Sequence, residues 1–129
     1  MIIRVPGMTR ENSECRTAVS QTQIFATLCE LCGISAPGGL DGSSMVPLLR
    51  DPSGVGTPRV YSEFALRTKN AKYMIREGDW KYCHYVGDTP ELYNLKDDPD
   101  ELKNLAGNMK GKMDEMRGKL FDWHTPGKE

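Results

Sequence analysis

Between residues 59 and 95 the sequence alternates with a period of two, and this constrains the fold more than any other stretch. Residues 59–64 (Arg-Val-Tyr-Ser-Glu-Phe) alternate, as do residues 72–76 and 80–86, with Glu77-Gly78-Asp79 between the last two. A period of two belongs to strands, and a Gly-Asp break between two such runs belongs to a hairpin. On the third run Trp80, Tyr82, His84 and Val86 share one face, and Lys81, Cys83 and Tyr85 share the other. Residues 91–95 add a fourth strand. Behind them Leu105, Met109, Met113, Met116, Leu120 and Trp123 recur every three or four residues, so an amphipathic helix is expected there, closed by Pro126-Gly127. A methionine stripe of this kind suits flexible core packing, the alternative being a groove for a partner.

The first half reads differently. Residues 2–5 form a short β-rich run stopped by Pro6-Gly7, which predicts a strand and a turn. Residues 19–31 predict a helix with Ser20 as its cap and Gly33 ending it. Ile24, Leu28 and Leu31 fall on one face, with Phe25 and Cys32 beside it. Residues 45–50 predict one or two helical turns capped by Ser43 or Ser44, with Pro47 tolerated in the first turn. A Gly/Pro/Ser connector follows at residues 51–58. The expected fold class is α+β: a small antiparallel sheet of three or four strands packed by a C-terminal helix. It has two parts, an N-terminal strand–helix arm over residues 1–58 and a sheet-plus-helix subdomain over residues 59–129.

The totals exclude several function classes. The formal net charge is −1, which gives no electrostatic footprint for nucleic acid. Nowhere does an apolar run approach the ~20 residues of a membrane span. No signal peptide is expected either, because residues 1–7 are too short and are interrupted by Pro6-Gly7. Read as complete, the chain would be cytosolic. Of the four cysteines, Cys29 and Cys32 form a C-x-x-C, but at the closing end of a helix, whereas a thiol activated by the helix dipole needs the opening end. Buried apolar thiols, a zinc site completed by Cys83-His84, and disulfides are the readings these cysteines permit.

Glu91-Leu92-Tyr93-Asn94-Leu95-Lys96-Asp97-Asp98-Pro99-Asp100-Glu101, with Asn104-Leu105-Ala106 behind it, is the most distinctive string. Read locally, Asp98 is a helix N-cap, Pro99 takes the first helical position and Glu101 completes a capping box. Acidic side chains there also suit the positive end of the helix dipole. Capping is a sufficient job for these carboxylates, a metal or catalytic role being the competing one. The string also resembles the sulfatase tail signature E-L-Y-D-L-x-x-D-P-x-E-x-x-N-L. Four further segments resemble sulfatases in the same order. Residues 2–7 resemble the strand and turn after the catalytic core. Val19, Ser20, Thr27, Leu28, Glu30, Leu31, Gly33 and Ile34 fit V-S-x-x-D-L-x-P-T-L-L-E-L-A-G-I, with Gln23 and Ala26 replacing Asp and Pro. Residues 40–49 resemble L-D-G-x-S-L-x-P-L-L, and Tyr61-Ser62-Glu63, Ile75-Arg76 and Trp80-Lys81-Tyr82 resemble the small antiparallel sheet.

The resemblance implies the C-terminal subdomain of a sulfuric ester hydrolase of the alkaline phosphatase superfamily, inactive alone. Sulfatases attack the ester with a formylglycine made in C/S-x-P-x-R, beside a divalent metal, usually calcium, and an acid for the leaving group. None of Cys15, Cys29, Cys32 and Cys83 has Pro two residues on, and Ser35-Ala36-Pro37-Gly38-Gly39 has Gly where Arg is needed. No catalytic or metal-ligating residue is therefore expected here, and both cofactors belong upstream. Substrate contact remains, because this subdomain borders the pocket mouth in sulfatases. Glu63, Arg67 and Lys69, in the polar stretch after the first strand, are the candidates, with a solvated loop as the competing reading. His84 and His124 are expected in packing or at the surface. The expected partner is a preceding catalytic domain, whose sheet would take up residues 2–5 and be covered by the helix over residues 19–31. Without it, disorder near the N-terminus or homodimerisation through the exposed strand and helix is expected. A free-standing binding module, a small Cys/His metal protein and a phosphoester or phosphonate hydrolase tail are the alternatives. Parent sulfatases are often periplasmic or secreted.

Overall fold

The computed structural model describes residues 1–54, 56 and 59–124. Its contacts group into two units, Met1–Pro58 and Arg59–Glu129.

The second unit is a four-stranded antiparallel meander, order β1-β2-β3-β4, with one helix on it. The strands are β1 (Arg59–Phe64), β2 (Lys72–Glu77), β3 (Trp80–Tyr85) and β4 (Glu91–Asn94), and the helix is α3 (Lys110–Trp123). Glu77 pairs with Trp80, leaving a two-residue turn in which Gly78 takes φ +56°, a conformation glycine adopts without steric cost. The expected face alternation holds. Tyr73, Ile75, Tyr82 and Leu92 are buried under Met116 and Leu120, with Trp80, Tyr61, Met113 and Phe121 packed around them.

Two features of this unit differ from expectation. No helix starts at Asp98. Glu101 sits at φ +57°, which a helix cannot accommodate. Asp98 instead accepts the Leu102 and Lys103 amides at 3.0 and 2.8 Å, four and five residues on, and so closes a loop. The stripe helix is also shorter than its pattern. Leu105 and Met109 precede α3 in a separate turn, after which Met109 (φ −120°, ψ 56°) leaves helical geometry. Gly107 and Asn108 are weak helix formers, in keeping with this break. The expected closure at Pro126-Gly127 lies outside the described residues.

The first unit holds α1 (Gln23–Leu31) and α2 (Val46–Arg50), joined by a glycine-rich loop. The N-cap of α1 is Thr22, not the expected Ser20, and it makes no side-chain cap bond. Ser20 sits in the preceding turn, where Gln23 Oε1 accepts its amide at 2.8 Å and its hydroxyl accepts the Thr22 amide at 3.3 Å. At the other end of α1 Gly33 (φ +66°) donates to Glu30 O and Ile34 to Cys29 O, a Schellman closure. The Ser44 hydroxyl accepts the Val46 amide opening α2, and Pro47 sits in its first turn. Thr27 ties the helices together, its hydroxyl donating to Gln23 O at 2.7 Å and accepting the Met45 amide at 2.9 Å. A Cβ on Gly42 would lie 2.4 Å from the Thr22 carbonyl, so the loop packs backbone against backbone there.

This unit carries two further corrections. Residues 2–5 form no strand, and Ile2 is 98% exposed. A β-rich run with no neighbouring strand has no ladder for its amides. The apolar face of α1 stands in solvent, as expected where no preceding sheet covers it. Gln23, Ala26, Thr27 and Cys29 are buried, whereas Ile24, Phe25 and Leu28 are 38%, 53% and 54% exposed. All four cysteines are free; Cys29 is buried, Cys83 half-buried, and Cys15 and Cys32 exposed. The buried-thiol reading therefore holds for Cys29 and fails for Cys15 and Cys32.

Candidate functional site: the loop between β1 and β2

The loop over residues 65–71 follows β1 and carries Arg67 and Lys69; Glu63 lies one residue from the strand's end. All three side chains are exposed. They sit together on one hairpin end, with the apolar side chains of Phe64 and Leu66 also facing solvent.

The loop is tightly built. The Thr68 hydroxyl donates to Ala65 O at 2.7 Å and accepts the Asn70 amide at 3.2 Å, and the Ala71 amide returns to Thr68 O at 3.1 Å. Ala71 is buried and anchors the exit. Both Ala65 (φ 53°) and Arg67 (φ 61°) are left-handed, at roughly 1–2 kcal/mol per L-residue. Strain of this kind is concentrated where a fold fixes a side chain for use. At the loop's base Lys72 lies 5.3 Å over the Tyr85 ring. The Tyr85 hydroxyl donates to Glu91 at 2.7 Å. Burial and then that bond push the phenol well above its ordinary value.

The histidines pack, as expected. His84 meets Phe121 edge-on at 5.0 Å, and His124 stacks on Tyr73 at 4.9 Å. Burial first, then the charge of Arg117, lowers the His84 pKa and favours the neutral ring. On the same face of the sheet Glu77 joins Arg59, at 2.7 Å, to Lys119 of α3. Burial alone would raise the Glu77 carboxyl, but the hydrogen bonds from Lys119 and Arg59 outweigh it and leave it below its ordinary value.

Side chains of the tail signature hold its own backbone. Asn104 Oδ1 accepts the Leu92 and Ala106 amides at 3.1 and 2.9 Å, and its Nδ2 donates to Pro90 O at 3.1 Å. Lys81 holds Glu101 at 2.6 Å. The role of Asn104 had no local signal in the sequence beyond the signature itself. Among the described residues no three His, Cys, Asp or Glu side chains gather where they would hold a metal ion.

Compared with known proteins, residues 1–123 match the family described as N-sulphoglucosamine sulphohydrolase, C-terminal. The chain belongs to this sulfatase family. It is 37% identical over 116 residues to arylsulfatase K of Xenopus laevis, covering 81% of the chain and 22% of that protein. The human arylsulfatase K is 32% identical over 117 residues, covering 82% and 22%. Among solved structures, the phosphonate monoester hydrolase of Agrobacterium radiobacter is similar at 29% identity and TM-score 0.64, over 78% of this chain and 23% of that one. The chain thus spans about a fifth of the length of the curated relatives it matches. As a sulfatase C-terminal domain it gives the family's motifs physical reasons: Gly42 of L-D-G is the backbone contact with Thr22, and the N-L of the tail binds Leu92.

Proposed function

We propose that this domain completes a sulfuric ester hydrolase by packing on a preceding catalytic domain and bordering the mouth of its substrate pocket. The observation that carries this is the α1 face of Ile24, Phe25 and Leu28. It is apolar and in solvent, on a helix whose other side is fixed by Thr27 and Gln23. An apolar helix face of this kind suits burial against another element. Family membership over residues 1–123 supports a sulfatase sheet as that element.

The residues of this chain do not fit the family's formylglycine or metal site: C/S-x-P-x-R is absent from its sequence. Nucleophile and cation are assigned to the preceding domain. This domain contributes Arg67 and Lys69, whose donors suit sulfate or carboxylate groups on the substrate, with Glu63 at the edge of the same loop.

The test begins with the coding DNA upstream of Met1. An in-frame extension containing C/S-x-P-x-R is expected. A stop codon directly upstream would overturn this reading and leave a free-standing binding module. In the enzyme so encoded, Arg67→Ala is expected to raise KM about tenfold with kcat little changed, the signature of lost uniform binding. An unchanged KM on the natural substrate would remove Arg67 from the pocket. The likeness to a phosphonate monoester hydrolase supports a second reading, a phosphonate ester as substrate. Parallel assays on aryl sulfate and aryl phosphonate esters separate the two.

A further inference from the structure

The two edges of the sheet are treated differently. At the β4 edge, Leu92 gives its amide to Asn104 Oδ1 at 3.1 Å and receives the Leu105 amide on its carbonyl at 2.8 Å. Both backbone groups of Leu92 therefore point away from β3. In an antiparallel ladder the N–H and C=O of one residue point the same way, and successive residues alternate. The register row Leu92–Tyr82–Ile75–Tyr61 carries this across the sheet. Tyr82 points to β2, Ile75 to β3, and Tyr61 away from β2. Arg59, Tyr61 and Glu63 thus aim their amides and carbonyls outward from β1. Among the described residues no backbone group pairs with them.

This edge lacks several of the usual protections, its two charges, Arg59 and Glu63, being of opposite sign. β1 contains no Pro and no Lys, its pairing with β2 runs unbroken from Arg59↔Glu77 to Phe64↔Lys72, and Phe64 is exposed at its end. It is also complementary to itself. An antiparallel copy that sets Tyr61 opposite Tyr61 places Arg59 opposite Glu63 and Glu63 opposite Arg59. That register pairs every outward amide and carbonyl of these residues. A slip of one residue faces outward groups with inward ones. Slips that bring residue 59 against 61, or 61 against 63, leave a pair unused and lose the charge match. Longer slips put Arg59 against Arg59 or Glu63 against Glu63. Opposite charges across a strand pair stabilise and like charges destabilise. Two existing contacts fix the side chains concerned: Arg59 is held to Glu77 at 2.7 Å, and Tyr61 stacks on Trp123 at 4.4 Å.

We infer that two copies of this chain pair through β1, antiparallel about a twofold axis at Tyr61, joining their sheets into one. The interface is isologous, each Arg59 meeting the partner's Glu63.

Sedimentation equilibrium of the whole 129-residue chain tests this. A dimer is expected at micromolar to submillimolar concentration. E63R and R59E, each checked by circular dichroism for a native sheet, are each expected to weaken it about tenfold or more by placing like charges opposite each other. An equimolar mixture of the two variants is expected to re-form a dimer, because each changed position then faces the opposite charge. A monomer at all concentrations would overturn the inference. So would a dimer indifferent to E63R, a mixture that stays monomeric, or a dimer abolished by F25D on the α1 face.

Discussion

Asn104 holds the Leu92 amide on its side-chain oxygen at 3.1 Å, and this bond closes the outer edge of β4. The same oxygen takes the Ala106 amide and the side-chain nitrogen returns to Pro90 O, so one amide group satisfies three backbone groups. Net worth is about 0.5–1.5 kcal/mol per hydrogen bond. Asn104→Ala is therefore expected to destabilise the chain by roughly 2–3 kcal/mol in urea denaturation, taking the three together. Asn104→Asp keeps the acceptor and loses only the donor, so its cost should be about a third. Equal costs for the two variants would contradict this division.

How far the fold was legible follows from which interactions are local. The β2–β3 hairpin could be read because Gly78 stands between two alternating runs and its turn needs nothing from elsewhere. The segment from Asp98 could not, because Asp-Pro-x-Glu suits a helix cap and a loop equally. What decides is Leu105 N donating to Leu92 O, thirteen residues back. Periodicity marked α1 as a helix with an apolar face but says nothing of what covers it; the exposure of Ile24, Phe25 and Leu28 followed only from the expectation that a preceding sheet would be needed to bury them. Residues 2–5 carried strand propensity without a partner. At the candidate site, Arg67 was visible as a cation in a polar loop. The left-handed backbone at Ala65 and Arg67 was not, since neither is Gly or Asn.

Gly42 is expected to tolerate no side chain. A Cβ there meets the carbonyl carbon and oxygen of Thr22 at 2.4 Å, and backbone cannot rotate aside as a side chain can. Overpacking of this kind costs about 1–3 kcal/mol. Gly42→Ala should speed amide hydrogen exchange in α1 and α2 while leaving β2 and β3 protected. Unchanged exchange in α1 would show the contact to be relaxed in solution.

Glu77 gives the fold an acid limit. Its carboxyl lies below the ordinary 4.5, because the bonds from Lys119 and Arg59 outweigh burial. A carboxyl lowered on folding adds stability that is fully present above its unfolded pKa and lost as pH falls through the folded one. Glu115 is held at about 2 by Lys119 and then Lys112, and it extends the same limb further into acid. Glu77→Gln should thus melt below the parent chain at pH 7, with the gap narrowing from about pH 4.5 downward as the parent carboxyl protonates. A gap constant with pH would mean that Glu77 acts through packing alone.

Phe25 separates what the domain needs for its own fold from what it offers a neighbour. Its ring is 53% exposed, whereas the buried side of α1 rests on Ala26, Thr27 and Cys29. Substitutions at exposed positions without special contacts usually change stability by less than about 0.5 kcal/mol. Phe25→Ser should fall within that range when the 129-residue chain is unfolded in urea, and should lower its tendency to aggregate. In the full-length protein the same substitution should behave as a core change, costing roughly 3 kcal/mol or more, because there the ring would be buried against the catalytic sheet. The contrast between the two backgrounds carries the information. Equal and small effects in both would mean that α1 covers nothing, and the apolar face would need another explanation.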